Sequence, residues 1–159
     1  MTATATHGAC LKCKLFTSCQ SPFMDGVYKS GCMVKNPIML IGEAPGEEED
    51  RLSEPFVGRA GELLWREYKQ AGLDENEVFV TNSARCRPAK NKLPIKAVNA
   101  CRVHLLEEIE RVEPRIILCL GAKAMHSLLK RSGMDKNRCA VHQLEMNDRS
   151  IPVVVAYHP

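Results

Sequence analysis

The sequence predicts an α/β fold, a central parallel sheet of four strands with helices packed on both faces. Two observations predict it. Four short apolar segments rich in β-branched residues have the composition of strands covered on both sides. The stretches between them carry helical periodicity. Strand–helix alternation of this kind selects a parallel sheet with right-handed crossovers.

The elements follow in order. The first ~35 residues fit neither period and hold four of the eight cysteines. Residues 38–42 (IMLIG) read as the first strand. Ala60, Leu63, Leu64, Tyr68 and Ala71 then fall on one helical face, and Gly72 stops the run. Residues 78–82 (VFVTN) are the second strand, and Val98, Cys101, Leu105, Ile109 and Val112 form the next helical stripe. Residues 115–121 (RIILCLG) are the third strand. Met125, Leu128 and Leu129 lie on the following helix, ended by Gly133, and residues 152–157 (PVVVAY) are the fourth strand. The 159 residues are expected to form one domain, with residues 1–35 a cysteine-rich segment of it. A domain of this size buries roughly 68–70% of its unfolded surface, enough for a core without staples.

Composition excludes several classes. Apolar residues at 45% and charged residues at 26% are those of a globular chain, not of a disordered or fibrous one. No apolar run approaches the ~18 residues of a membrane span, so no membrane partner is expected. The start lacks a basic region followed by an apolar stretch, so a reducing cytoplasmic compartment is expected. There, a cysteine cluster reads as metal-binding or reactive rather than as a disulfide framework. The net charge of +3 is small, and its distribution says more than its size.

In open parallel sheets, ligands bind beyond the carboxyl ends of the strands. That rule selects Glu43, Ala44 and Pro45 after the first strand, Asn82 at the end of the second, Gly121 after the third and His158 after the fourth. A carboxylate, an amide and an imidazole therefore converge on one rim. The loop GEAPGEEED follows neither phosphate-loop pattern, and its acids would repel an anion. A magnesium site there has no second acidic cluster to support it. Phe56 precedes the first helix and is either core or a stacking face for a flat ligand.

Cys10-x-x-Cys13 has the spacing of a two-ligand metal knuckle, and Cys86 with Cys101 completes four thiolates. The fourteen residues between the latter two do not form a second close pair, so the spacing suits an iron–sulfur cluster at least as well as zinc. Cys19 is the main rival for a ligand place; Cys32 and Cys139 are unplaced, and Cys119, mid-strand, reads as a buried small hydrophobe. The segment between Cys86 and Cys101 belongs to a stretch without acids. Its Arg85, Arg87, Lys90 and Lys92 are the candidate contacts to a phosphate backbone.

Five motifs in register carry a resemblance: GEAPGEEED, PFVGRAGELL, VFVTNSARCRP, CLGAKA and a terminal YHP. Together they resemble the family 4 uracil-DNA glycosylases over nearly the whole chain. The resemblance implies an α/β/α sandwich and a [4Fe–4S] cluster held by Cys10, Cys13, Cys86 and Cys101. It implies a DNA-repair enzyme that flips uracil out of single- or double-stranded DNA and hydrolyses its N-glycosidic bond, acting as a monomer. By the same resemblance Phe56 stacks on the extruded ring, and Asn82 donates to O4 and accepts from N3–H. Glu49 forms a wall at ring carbon 5, and Glu43, Ala44 and Pro45 line the pocket. His158, with backbone amides near Glu43 and Ala44, stabilises the departing uracil anion. Either Glu43 or Glu49 stabilises the cationic sugar or orients water. The family pattern runs past its His-Pro into a loop that probes the DNA minor groove, whereas this sequence stops at Pro159, consistent with a domain cut short. Residues 26–36 also lack the family's glycine- and proline-rich approach to the first strand. A second reading is therefore a non-catalytic glycosylase-fold module that binds DNA or a replication partner, and a third is a zinc-dependent nucleotide enzyme.

Overall fold

The computed structural model describes residues 8–31 and 33–159. The earliest expectations, on residues 1–7 and on Cys32, lie outside the described residues. The chain folds as α1 (Gly8–Cys13), β1 (Val27–Tyr28), β2 (Ile38–Gly42), α2 (Glu47–Leu52), α3 (Arg59–Gln70) and β3 (Val78–Asn82). It continues with α4 (Ile95–Val112), β4 (Ile116–Leu120), α5 (Ala122–Leu129), α6 (Met134–Asn137), β5 (Val141–Met146) and β6 (Arg149–Ala156). Among the described residues no helix is long and apolar enough to cross a membrane.

The sheet has six strands in the order β1-β3-β2-β4-β6-β5, not the four expected. The inner four are the expected ones, and every pairing among them is parallel. The two added strands pair antiparallel at the edges. Neither has the apolar run that marks a covered strand. β1 is two residues long, and β5 (VHQLEM) alternates between exposed and half-buried positions. The β5–β6 hairpin turns on Asn147 and Asp148, both at positive φ, the backbone of a two-residue type I′ turn. That hairpin also starts β6 three residues before the expected 152.

Side-chain alternation along the inner strands divides the core into two layers. Met39 and Ile41, with Phe79, Ile117, Cys119, Val153 and Val155, face Leu105, Ile109 and Val112 of α4 and Met125 and Leu128 of α5. Leu40, Val78, Val80 and Leu120 face Leu64 and Tyr68 of α3 on the opposite side. The result is the three-layer α/β/α sandwich. A third cluster joins Ala84, Leu93, Ala97 and Val98 to Cys13 and Leu15 of the N-terminal segment.

That segment is tied down chiefly through polar groups. Met24 N–H donates to Arg85 O at 2.8 Å, and Gly26 N–H donates to the Glu108 carboxylate at 2.9 Å. The buried Asp50 carboxylate of α2 accepts from the backbone N–H groups of Gln20 and Ser21. Backbone hydrogen bonds of this kind, from Gln20, Ser21, Met24 and Gly26, are invisible to hydrophobic periodicity, which is why this stretch fits neither period.

Candidate functional site

The carboxyl ends of β2 and β3, the loop that follows β6, and the loops after β2 and β3 enclose a cleft of about 750 Å³. Glu43, Ala44, Pro45, Glu49, Phe56, Asn82 and His158 all line it. Its base is set by Gly42. A Cβ there would stand 2.5 Å from both Asn82 Oδ1 and the Phe56 ring, so only glycine lets the amide and the aromatic approach the strand end together.

Phe56 is 6% exposed and holds a left-handed backbone, φ 58°, which costs a residue with a side chain of order 1–2 kcal/mol. Three contacts hold it there. Its carbonyl accepts from Trp65 Nε1–H at 3.1 Å. Gly61, in the first turn of α3, leaves room for that same carbonyl, where any Cβ would collide with it. The Trp65 ring meets the Phe56 ring edge-on, with centroids 6.5 Å apart. Lys29 lies over the outer side of Trp65 at 4.5 Å.

Glu49 is buried, and both of its oxygens accept backbone N–H groups: Oε1 from Gly58 at 2.8 Å and Oε2 from Gly46 at 3.1 Å. One carboxylate thus joins the loop before α2 to the loop before α3, each at a helix N-terminus where negative charge is favoured. Glu43 differs. Its backbone carbonyl accepts from Ser83 Oγ–H and Ala84 N–H, but its half-buried carboxylate has no partner among the described residues. Asn82, 9% exposed, likewise presents a side-chain amide without a partner among the described residues. His158 is exposed, packs its Cβ against Gly121 and has Nδ1 2.9 Å from Pro159 O.

Arg59, Ala60, Pro88 and Asn91 also line the cleft and were not anticipated. The usable signal for Pro88 and Asn91 was their place in the loop after β3. Arg87 pairs with Glu47 across the rim at 3.4 Å and donates to Asn91 at 3.2 Å. Lys90 and Lys92 are exposed on the same loop. Arg85 departs from the expected phosphate contact. Its side chain is 14% exposed and turns inward to Asp25, to the buried Glu108 at 3.3 Å and to His104 O at 3.1 Å.

A second, much smaller void of about 10 Å³ lies where α1 packs on α4. Cys10, Cys13, Cys86 and Cys101 all line it, with Leu15, Phe16, Phe23, Ala84, Ala97 and Ala100 as apolar wall and Arg85 and His104 beside them. Cys10 Sγ lies 3.2 Å from His104 Nε2. Burial pushes the Cys86 thiol up to about 12 and the Cys101 thiol to about 11. Cys19 is outside the lining but shares a side-chain hydrogen bond with the Cys86 thiol, and burial followed by the Asp50 charge raises its own pKa. Cys119 is fully buried in β4. Among the described residues no three His, Cys, Asp or Glu side chains already converge as the donors of a metal ion.

Comparison with known proteins places this arrangement. Residues 28–159 match the family model of the uracil DNA glycosylase superfamily. The Type-4 uracil-DNA glycosylase of Archaeoglobus fulgidus is 32% identical over 157 residues, spanning 95% of this chain and 76% of that protein. Its counterpart in Sulfurisphaera tokodaii is 34% identical over 158 residues, 95% of this chain and 70% of the relative. That of Saccharolobus solfataricus is 37% identical over 157 residues, 94% and 70% respectively. The family match contains every residue of the cleft and all of the inner sheet, and the chain belongs to the uracil DNA glycosylase superfamily.

Proposed function

We propose that the cleft receives uracil flipped out of DNA and that the protein hydrolyses its N-glycosidic bond, leaving an abasic site. The observation that carries the reading is Asn82: a nine-tenths-buried amide with no partner among the described residues, lining the cleft with Phe56. A buried amide left open needs a ligand with a matching donor and acceptor. Uracil supplies O4 and N3–H. Cytosine presents the reverse pattern and leaves both groups unpaired, which supports large discrimination. Phe56, fixed by Trp65, supplies the stacking face for a base taken out of the helix.

The two carboxylates divide by their partners. Glu49, engaged by two backbone N–H groups, serves as a wall and as the tie between the two loops. Glu43, with a free carboxylate, faces the sugar and stabilises its developing positive charge or orients water. His158 and the backbone amides near Glu43 and Ala44 stabilise the negative charge on the departing uracil. Lys90, Lys92 and Arg87 meet the phosphates, while Arg85 supports the fold beneath them. Incubating the protein with single- and double-stranded uracil DNA, followed by alkaline cleavage, tests the reading. Absence of cleavage on single strands, where extrusion is easiest, would overturn it and favour a DNA-binding module without activity.

Cys10, Cys13, Cys86 and Cys101 fit a [4Fe–4S] cluster, because four free thiols, two buried and two half-buried, share one void with an apolar wall. Cys10 and Cys13 of α1, Cys86 of the β3–α4 connection and Cys101 of α4 would hold such a cluster, which would supply electron-transfer chemistry. The residues themselves anchor both ends of the basic loop, so that less entropy is lost when the loop meets DNA. Thiols kept reduced suit a cytoplasmic compartment. Absorbance near ~400 nm with bound iron separates this assignment from zinc.

A further inference from the structure

Two long stretches of the chain, residues 78–106 and 114–134, contain no aspartate or glutamate, although the protein has 19 acids against 22 basic residues. The fold lays these stretches side by side, because α4 and α5 pack against each other on one face of the sheet. Arg102 Nε–H donates to Ser127 O at 2.8 Å, and Lys130 Nζ donates to Asn99 Oδ1 at 2.9 Å. These bonds fix Arg102 and Lys130 as neighbours across the helix–helix seam. Lys96 and Arg131 stand exposed at either side. None of the four enters a salt bridge among the described residues. Partial desolvation, with the nearby Arg102 charge, lowers the Lys130 pKa, as expected where like charges are held together without a counterion.

We propose that this ridge is a nucleic-acid track along which the DNA strand leaving the cleft continues down the flank of the domain. The inference rests on the cleft being a DNA site. Both helices start beside the cleft, α4 after the Asn91 loop that lines it and α5 after Gly121, which packs against the cleft residue His158, and run away from it. Arg102 is seven residues into α4, about 10 Å from the rim at 1.5 Å per residue. Lys92 and Lys96 bridge the interval. The ridge is therefore continuous with the rim and reaches backbone phosphates outside the flipped nucleotide. Uncompensated cations fixed in place suit a polyanion of regular charge spacing better than a single small anion.

The test uses uracil-free single strands, so binding is read without excision. Oligonucleotides of ~4 and ~16 nucleotides span the range of single-strand sites. The Lys96→Gln, Arg102→Gln, Lys130→Gln, Arg131→Gln variant should bind the longer strand at least ~10-fold more weakly at ~0.1 M salt, and its log–log salt slope should flatten by up to ~3, at ~0.7 per phosphate. The charge-conserving Lys96→Arg, Arg102→Lys, Lys130→Arg, Arg131→Lys variant should keep the parental slope, which separates charge from misfolding. Neutralising Lys69 and Lys136, exposed elsewhere, should change nothing. An unchanged slope in the neutral variant, a flattened slope in the charge-conserving one, or displacement of the long strand by polyglutamate as readily as by DNA would overturn the track. Loss of excision in the parent with the slope difference intact would instead overturn the uracil reading alone.

Discussion

The cleft and the thiol void share one connection, with Asn82 lining the first and Ala84 and Cys86 the second, and they are built on opposite principles. The cleft is wide and keeps polar groups open. Asn82 and Glu43 have no partners among the described residues, while the groups behind them, Glu49 and Trp65, are fully engaged. The thiol cavity is small and apolar-walled, and burial raises the pKa of its Cys86 and Cys101 thiols. The difference teaches that recognition needs unsatisfied donors held by satisfied neighbours, whereas a structural centre needs its donors removed from water.

The strongest way to break this comparison is at the open groups. Asn82→Asp replaces the amide donor by a second acceptor facing O4, and uracil excision should fall at least ~10²-fold, since a lost buried contact with an unpaired acceptor is worth ~1–3 kcal/mol or more. Residual activity should move toward cytosine as pH falls, because a protonated Asp can donate to its bare N3. His158→Ala should lower the rate by a similar factor without altering base preference, measured as the uracil-to-cytosine ratio. Equal loss of preference in both variants would merge the two roles.

The thiol cavity comes next. Cys86→Ala or Cys101→Ala should remove most of the bound iron and lower thermal stability and DNA affinity together, because metal binding is coupled to folding. Cys119→Ala should leave iron content unchanged. Iron retained in both ligand variants would disprove the ligand set.

The satisfied neighbours should give smaller effects. Glu49→Gln keeps the shape but leaves one of the Gly46 and Gly58 N–H groups facing an amide NH2. Stability should drop by ~1–3 kcal/mol in denaturant titration. Trp65→Phe keeps an aromatic ring and deletes the donor to Phe56 O. It should raise KM more than it lowers kcat, with a stability change of about 1 kcal/mol.

The last prediction tests burial itself, at high pH. Burial raises the Cys119 thiol to about 12 from the ordinary 9.0. The folded state therefore favours the neutral thiol. Its contribution is complete below pH 9.0 and is lost as pH rises from there toward about 12. Unfolding free energy measured against pH should decline over that window in the parent, and Cys119→Ala should flatten the decline.

Much of the architecture was legible in the sequence because it is locally encoded. A parallel strand covered on both faces must be an apolar run, and β2 and β3 begin and end at the expected residues. The strand-end rule then put Glu43, Asn82 and His158 on one rim, and the structure gathers them in one cleft. β1 and β5 escaped because edge strands carry no such run, although the Asn147-Asp148 turn was a readable hairpin signal. Only the tertiary structure decided the left-handed backbone of Phe56, the two-loop grip of Glu49, the inward turn of Arg85 and the meeting of two acid-free stretches across the α4–α5 seam. Each depends on a partner distant in sequence, from 9 positions for Glu49–Gly58 and Phe56–Trp65 to 60 for Arg85–Asp25. Periodicity reports which side of one element is buried, whereas the partner of a polar group is fixed by which other element the packing brings against it.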